Sequence, residues 1–388
     1  MKNVKYCLTV FFLLLITVPF LGRYCIKGSS SEKFLRTENR LVTQYIELES
    51  LRSRHFKKYF NNLNNYISDR LSKKDSVVKY ANRLLMNPAY FLNLDLTKGT
   101  VGLDGYLFLG NLYEGVINRH FNKDYVVDKN KESALYSLHV ELSSLAKDLN
   151  SKYYFFIAPD KHNVYCDKVP KWLTSNACAI SNKVTDHLVS NLRERNLNVI
   201  YPLDDLRRLT LENVYYKSDT HWNVYGAEIG YKHLNGYINK ESNLGLIINS
   251  DYTLESTEMN YVGDLINILG IAKERVPNDK VYSIETVDSV LWSNKTEQPR
   301  FVPLNQALAQ GADPNWYGYM KNERAPNNRK VLVFCDSFMT SMSLFFNINF
   351  KEVFYYSRHR SKDDLKRLML EIKPDIVIYE SVERAVGA

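Results

Sequence analysis

Two short segments far apart in the chain carry residues that could work together as one hydrolase-type site. The first is Ser218-Asp219-Thr220-His221-Trp222, and the second is Val331-Leu332-Val333-Phe334-Cys335-Asp336-Ser337-Phe338. An Asp two residues before a His can hold the imidazole in one tautomer and stabilise its charged form. A Ser just after a buried apolar strand can serve as the nucleophile, with His221 taking its proton. If a helix starts at Ser337, backbone N–H groups and the positive end of the helix dipole face a developing oxyanion. Each half is weak alone: Asp-x-His arises by chance, and Asp-Ser after a strand is often only a helix cap. No spacing typical of metal ligands is present, and the triad chemistry calls for no bound cofactor.

The surrounding elements must bring the halves together. Leu135, Leu138, Leu142, Leu145 and Leu149 share one face and predict a helix over 131–150. The apolar run 153–158, closed by Pro159, predicts a buried strand. A helix over about 182–196 leads to a strand near 199–201. Asn223 can cap a helix through about 237. Strands are expected at 330–334, 352–356 and 375–379, separated by helices at about 338–346 and 362–372, with Pro374 stopping the second. This alternation predicts a parallel sheet with helices on both faces. Ligands of such sheets bind beyond the carboxyl ends of the strands, where Ser337 falls. Asp104-Gly105 suits a tight turn in a hairpin over 101–109. Residues 240–328 hold five prolines and few periodic runs, and read as an elaboration, a lid or cleft wall.

The chain has 388 residues and 45% hydrophobic content, enough for a large core. Its 28 tyrosines suit carbohydrate contacts and internal packing alike. Tyr6 to Gly22 is an uncharged apolar run preceded by Lys2 and Lys5, either a signal peptide or a single anchor. The run lacks a small-x-small cleavage site and a lipobox, which favours an uncleaved anchor over residues 1–27, with Lys2 and Lys5 cytoplasmic. Residues 28–95 read as a helical linker, and 96–388 as the main domain. Residues 1–100 hold 17 Lys+Arg against 7 Asp+Glu, and the rest 34 against 36, so the basic character lies beside the membrane. Anionic headgroups or an acidic polymer fit that segment, as does a merely solvated basic helix. Nucleic acid does not fit an exported chain without a binding motif. Cys166 and Cys178, in a loop-like stretch, can pair in an oxidising compartment or remain two thiols.

The motifs together resemble the SGNH-hydrolase-like O-acetyltransferases of bacterial polysaccharides, the family of AlgJ and AlgX. The resemblance covers roughly residues 95–388. Gly102-Leu103-Asp104-Gly105-Tyr106-Leu107-Phe108 is similar to the family's opening hairpin, with Tyr106 in place of Trp. Pro159-Asp160-Lys161-His162-Asn163-Val164-Tyr165 resembles its Pro-x-Lys-x-x-x-Tyr segment. Asp219-Thr220-His221-Trp222-Asn223-x-x-Gly226-Ala227 is similar to its most specific motif. Cys335-Asp336-Ser337-Phe338 corresponds to Gly-Asp-Ser-Phe, with Cys335 replacing Gly and expected to narrow the turn. Lys373 through Arg384 resembles the closing strand, and Glu383 with Arg384 is expected to form a structural ion pair. The chain ends soon after that strand without a carbohydrate-binding module, an expectation closer to AlgJ than AlgX.

The resemblance implies a flavodoxin-like sheet and a triad in the order Asp219, His221, Ser337. It implies acetyl transfer to a cell-surface or exported polysaccharide, an exopolysaccharide or capsule, through an acetyl-Ser intermediate. The acetyl group would come from a multi-spanning membrane-bound O-acyltransferase, with the catalytic domain in the periplasm, anchored to the bacterial inner membrane. Lys161, Tyr165, Trp222, Asn315, Tyr317 and Arg358 are further candidates for lining the substrate cleft. Two other readings stand beside this one: a carbohydrate acetyl esterase using the same triad with water, and a non-catalytic polysaccharide-binding subunit.

Overall fold

The computed structural model describes residues 97–388 except 172, 175, 250–251, 272–277, 286–288, 295–296 and 304–316, together with 34–35 and 40–41; from 285 to 317 only strand backbone is described. The chain divides into two compact units, residues 1–88 with 267–271, and residues 89–266 with 272–388. In the first, Phe34–Leu35 pairs antiparallel with Arg40–Leu41. These four residues are therefore strand where the sequence suggested helix. The rest of the linker, and the anchor read over 1–27, lie outside the described residues. Among the described residues no helix is long and apolar enough to cross a membrane.

The second unit opens with the hairpin β1 (Gly99–Val101) and β2 (Leu107–Leu109), whose turn places Asp104 and Gly105 at φ 55° and 82°. Then follow helix α1 (Lys129–Asp148), strand β3 (Lys152–Ala158), helix α2 (Lys183–Arg193), strand β4 (Val199–Ile200) and helix α3 (Val224–Ser242). Strands β5 (Thr253–Asn260) and β6 (Asn278–Glu285) form a separate antiparallel pair. Strands β7 (Ser289–Asn294), β8 (Glu297–Pro303), β9 (Tyr317–Lys321) and β10 (Asn327–Cys335) lead to helix α4 (Met339–Asn349), strand β11 (Phe350–Ser357), helix α5 (Lys362–Ile372) and strand β12 (Ile376–Val382).

The eight-stranded sheet has the order β8-β7-β9-β11-β10-β12-β3-β4. The five strands from β11 to β4 are parallel, as the alternating pattern predicts. β9, β7 and β8 extend that sheet antiparallel, so it is mixed, and much of 240–328 is sheet. The expected strands and helices of the parallel half are all present, with boundaries shifted by a few residues. The largest extension is at α3, which runs to Ser242 and ends on Asn243 at φ 50°. At α1 the Asp128 carboxylate accepts from the N–H groups of Asn130 and Lys131 and starts the helix two residues early.

Both faces of the parallel half are covered, which explains the continuous apolar strands. Tyr153, Phe155 and Ile157 of β3 join Leu332, Phe334, Val377 and Tyr379 against Leu142, Leu188, Leu192, Leu365 and Met369 of α1, α2 and α5. The alternate residues turn the other way: Phe156 meets Trp222, and Tyr154 meets Tyr237 of α3. Each such apolar side chain contributes about 1.5–3 kcal/mol when fully buried. This core holds the carboxyl ends of β3, β10 and β12 side by side at one edge.

Candidate active site

Ser337 follows β10 at that edge, two residues before α4 begins. The turn presenting it is held from several sides. The Asp336 carboxylate accepts from the Phe338 N–H (3.0 Å), the Val382 N–H (2.8 Å) and Arg358 Nε (3.0 Å). Its own N–H donates to Glu380 Oε2 at 2.9 Å. Burial pushes the Asp336 pKa up, but the Arg358 charge and the two N–H donors outweigh it and hold the group below its ordinary value. Burial and the Asp336 charge push Glu380, beneath the turn, well above its ordinary value. Trp222 Nε1 donates to the Phe338 carbonyl at 2.9 Å, tying the two sequence segments together.

His221 lies on the loop before α3, capped by Asn223, whose side chain accepts from the Gly226 N–H at 2.9 Å. Gly226 is required there, because a Cβ would come within 2.2 Å of the Val214 carbonyl oxygen. His221 Nδ1 is 2.7 Å from Asp219 Oδ1, and Nε2 is 2.8 Å from Ser337 Oγ. The carboxylate can only accept, so Nδ1 carries the proton and Nε2 accepts from the Ser337 hydroxyl. For the His221 pKa, burial acts downward, but the hydrogen bond and charge of Asp219 outweigh it and raise the value above 6.5. Burial acts upward on Asp219, and the His221 contacts outweigh it, leaving the group ionised.

A second layer fixes the Asp219 loop. Asp219 Oδ1 also accepts from the His221 N–H (3.0 Å), and Oδ2 from the Asp264 N–H (3.0 Å). Asp264 in turn accepts from the Thr220 N–H (2.8 Å) and hydroxyl (2.6 Å). Burial and the Asp219 charge push Asp264 up to about 6. A Cβ at Gly263 would sit 2.3 Å from the Ser218 carbonyl oxygen and 2.6 Å from the Asp219 Cβ, so this close approach excludes any side chain. From the opposite side Leu107 N–H donates to the Lys217 carbonyl (2.9 Å), which places the opening hairpin against the loop.

The structure brings Asp219, His221 and Ser337 into one hydrogen-bonded chain. The other candidates divide differently. Lys161 is buried, and its Nζ donates to the carbonyls of Lys217 (2.7 Å) and Asp219 (2.9 Å); burial lowers its pKa to about 7. Tyr165 is buried, accepts from the Val214 N–H (2.9 Å) and packs on Tyr106. Trp222 is 1% exposed. Arg358 is engaged with Asp336. Lys161, Tyr165 and Trp222 therefore support the loops, their polar atoms spent on protein partners; Arg358 holds the turn through Nε and also lines a cavity with Ser137, Leu138 and Lys362. Tyr317 is placed at the start of β9, opposite Tyr356 of β11. Asn315 lies outside the described residues. Cys166 and Cys178 are disulfide-bonded.

Glu383 and Arg384 are not an ion pair with each other. Glu383 accepts from the Asp160 N–H (2.8 Å), Asn163 (2.6 Å), Thr185 (2.6 Å) and Tyr201 (2.7 Å). Arg384 pairs with Asp160 (2.6 Å), its guanidinium 5.6 Å from the Phe338 ring. Both lie in the single 3-10 turn Glu383–Ala385 that follows β12, and each is engaged by other partners. Among the described residues two clusters have the composition of a cation site, His120-Asp160-Glu383 and Asp219-His221-Asp264. In both, the ring nitrogens and carboxylates are already hydrogen-bonded within the protein, so neither offers a free ligand set.

Sequence reasoning missed Asp264, Gly263 and Glu380. Glu380 had a readable signal, a lone acid inside an apolar strand. Gly263-Asp264 ahead of Leu265-Ile266 has the form of a helix start, but nothing local ties it to Asp219.

A parallel α/β core with this serine-histidine-aspartate edge defines a hydrolase-like class. Residues 101–297 match the family described as SGNH hydrolase-like domain, acetyltransferase AlgX. That is more than half of the chain, and the chain belongs to this family. The matched span contains Asp219 and His221 and ends before Ser337. No curated protein sequence matches the chain. Among solved structures, Bacillus cereus PatB1 with a sulfonyl adduct superposes with a TM-score of 0.54 at 16% identity, over 74% of this chain and 94% of that one. A DHHW family protein from Eubacterium siraeum gives a TM-score of 0.53 at 15% identity, over 76% and 94%. The O-acetyltransferase domain of Pseudomonas putida AlgJ gives 0.47 at 14% identity, over 74% and 92%. The first two likenesses establish the fold.

Proposed function

We propose that the chain is an O-acetyltransferase acting on a cell-surface or exported polysaccharide, with Ser337 as the acetyl carrier. The observation that carries the reading is the unbroken chain from Asp219 Oδ1 through the His221 ring to Ser337 Oγ. Ser337 Oγ attacks the carbonyl of an acetyl ester while its proton passes to His221 Nε2. The tetrahedral oxyanion faces the Ser337 N–H at the start of α4. Its collapse expels the donor alcohol, which takes the proton from His221. A sugar hydroxyl then attacks acetyl-Ser337, gives its proton to His221, and leaves as the acetate ester with Ser337 restored. Asp219 orients the ring and stabilises the imidazolium in both halves.

Family membership supports acetyl transfer over simple hydrolysis. In this reading residues 1–27 anchor the chain in the bacterial inner membrane, 28–95 link the anchor to the domain, and 96–388 act in the periplasm. A multi-spanning O-acyltransferase would supply the acetyl group, since acetyl-CoA is confined to the cytoplasm. The test is incubation with an acetyl-donor ester, with and without glycan. Acetylated glycan should appear with the wild-type chain and not with Ser337→Ala. If only free acetate forms whatever glycan is offered, the chain is an esterase. If glycan acetylation in cells is normal with Ser337→Ala, neither enzyme reading holds.

A further inference from the structure

His221 Nδ1 faces more than one acceptor. Asp219 Oδ1 stands at 2.7 Å, the Thr220 hydroxyl oxygen at 3.3 Å, and Asp264 Oδ2 at 4.0 Å. The Thr220 hydroxyl has its proton committed, because it donates to Asp264 Oδ2 at 2.6 Å. A hydroxyl that donates in one direction presents its lone pairs in others, so the Thr220 oxygen faces the Nδ1 proton as a weak second acceptor. The Thr220 N–H donates to the other Asp264 oxygen at 2.8 Å. Both carboxylate oxygens of Asp264 are thus held by Thr220, the residue between Asp219 and His221.

Holding the loop does not require that carboxylate to be charged. The bond to Asp219 Oδ2 comes from the Asp264 backbone N–H, whatever the side chain, and an uncharged acceptor would serve Thr220. A second carboxylate beside Asp219 instead costs repulsion, and burial with that repulsion pushes Asp264 up to about 6. What the pair of acids favours is a cation at His221. Two cations act against or across this arrangement: Arg384 opposes the imidazolium, and Lys161 feels both acids while its Nζ donates to the Asp219 carbonyl. The Tyr261 hydroxyl, held neutral by burial and by the same two acids, adds no charge.

We propose that Asp264, acting through the Thr220 hydroxyl, is a second positioning acid for His221: it steadies the Nδ1 proton and shares the charge of the imidazolium formed when Ser337 attacks. The inference rests on the acetyl-transfer reading, which makes His221 the base. No proton passes to Asp264. Nδ1 keeps its hydrogen throughout, and the proton taken from Ser337 stays on Nε2 until the departing oxygen takes it.

The experiment is hydrolysis of p-nitrophenyl acetate by the full chain across about pH 5–8, comparing Asp264→Asn, Thr220→Val, their double variant, Asp219→Asn and Ser337→Ala. Asp264→Asn removes a charge 4.0 Å from Nδ1, where the two side chains are 29% and 24% exposed. It should lower kcat about ten- to hundredfold with KM nearly unchanged. Its activity–pH inflection should lie below that of the wild type, because the lost anion no longer favours protonated His221. Thr220→Val removes one neutral hydrogen bond and should lower kcat by about threefold to tenfold; it serves if Asp264→Asn does not fold. The double variant should match Asp264→Asn within about twofold, because the two residues act as a unit. Suppose Ser337→Ala and Asp219→Asn are nearly inactive while Asp264→Asn and Thr220→Val keep wild-type rates, or lose rate with the inflection unmoved. Asp264 then only holds the loop, and the inference falls while the triad stands. If Ser337→Ala keeps wild-type activity, the triad reading itself falls and takes this inference with it.

Discussion

Asp219→Asn tests the proposed catalytic chain most directly. Asp219 Oδ1 takes two donors from His221, Nδ1 and the backbone N–H, and Oδ2 takes the Asp264 N–H. An amide cannot satisfy all three. With its oxygen toward His221, the NH₂ confronts the Asp264 N–H. With its oxygen toward Asp264, the NH₂ confronts the His221 N–H and donates to Nδ1. The second orientation reverses the tautomer, so Nε2 carries the proton and cannot accept from Ser337. In either orientation the imidazolium loses its counter-charge. Two charges about 4 Å apart at an effective dielectric near 20 interact by about 4 kcal/mol. The His221 side chain is 29% exposed, so screening leaves about 3 kcal/mol, or two decades in rate. The tautomer reversal adds one to two more, so kcat should fall by about 10³–10⁴. One unsatisfied donor should cost about 1–3 kcal/mol of stability. The assay is hydrolysis of p-nitrophenyl acetate, with the thermal midpoint measured in parallel. A folded variant whose kcat stays within tenfold of wild type would refute the role given to Asp219.

His221 must be neutral to accept the proton, and its pKa is raised, so activity should rise with pH through an inflection above 6.5; in Asp219→Asn the inflection should move down. By linkage, the stability His221 gains from this raised pKa is fully present below the unfolded pKa and is lost as pH rises through the folded one, which melting curves across pH 5–8 check. A sulfonyl fluoride should modify Ser337, read as a mass shift on its peptide that is absent in Ser337→Ala; labelling elsewhere with Ser337 untouched would count against the nucleophile. Lys161→Met frees the carbonyls of Lys217 and Asp219, and should lower the thermal midpoint and kcat while leaving KM for glycan nearly unchanged. Replacing Cys166 and Cys178 by Ser should cost about 2–3 kcal/mol for a loop of 12 residues, read as a lower denaturation midpoint; equal midpoints would show that the bond contributes nothing.

The parallel half of the fold was legible because both its signals are local. A strand covered on both faces must be apolar throughout, as 153–158 is, and a helix on a sheet must repeat its apolar residues, as α1 does. The antiparallel strands β7, β8 and β9 were not legible, because pairing across a sheet depends on partners remote in sequence. The same limit hid the second layer of the site. Lys161, Tyr165 and Trp222 look, by residue type, like groups that meet a ligand. Only the fold shows their polar atoms spent on the carbonyls and N–H groups of the loops that carry Asp219 and Ser337.

Asp336 shows why a bland reading and a functional one need not compete. An Asp before a Ser at a strand end is often merely a helix cap, and Asp336 does accept from the Phe338 N–H just ahead of α4. Its second oxygen reaches Val382 at the end of β12 on one side and Arg358, just after β11, on the other. The cap therefore fixes the turn to two other strands, and that fixed turn aims Ser337 at His221. Cys335 does not disturb it. It is still paired in β10, opposite Ser357, and lies outside the positive-φ region, so the position has no need of glycine. The geometry of the nucleophile thus depends on the Asp336 carboxylate remaining charged. The Arg358 charge and the Val382 and Phe338 N–H groups keep it so.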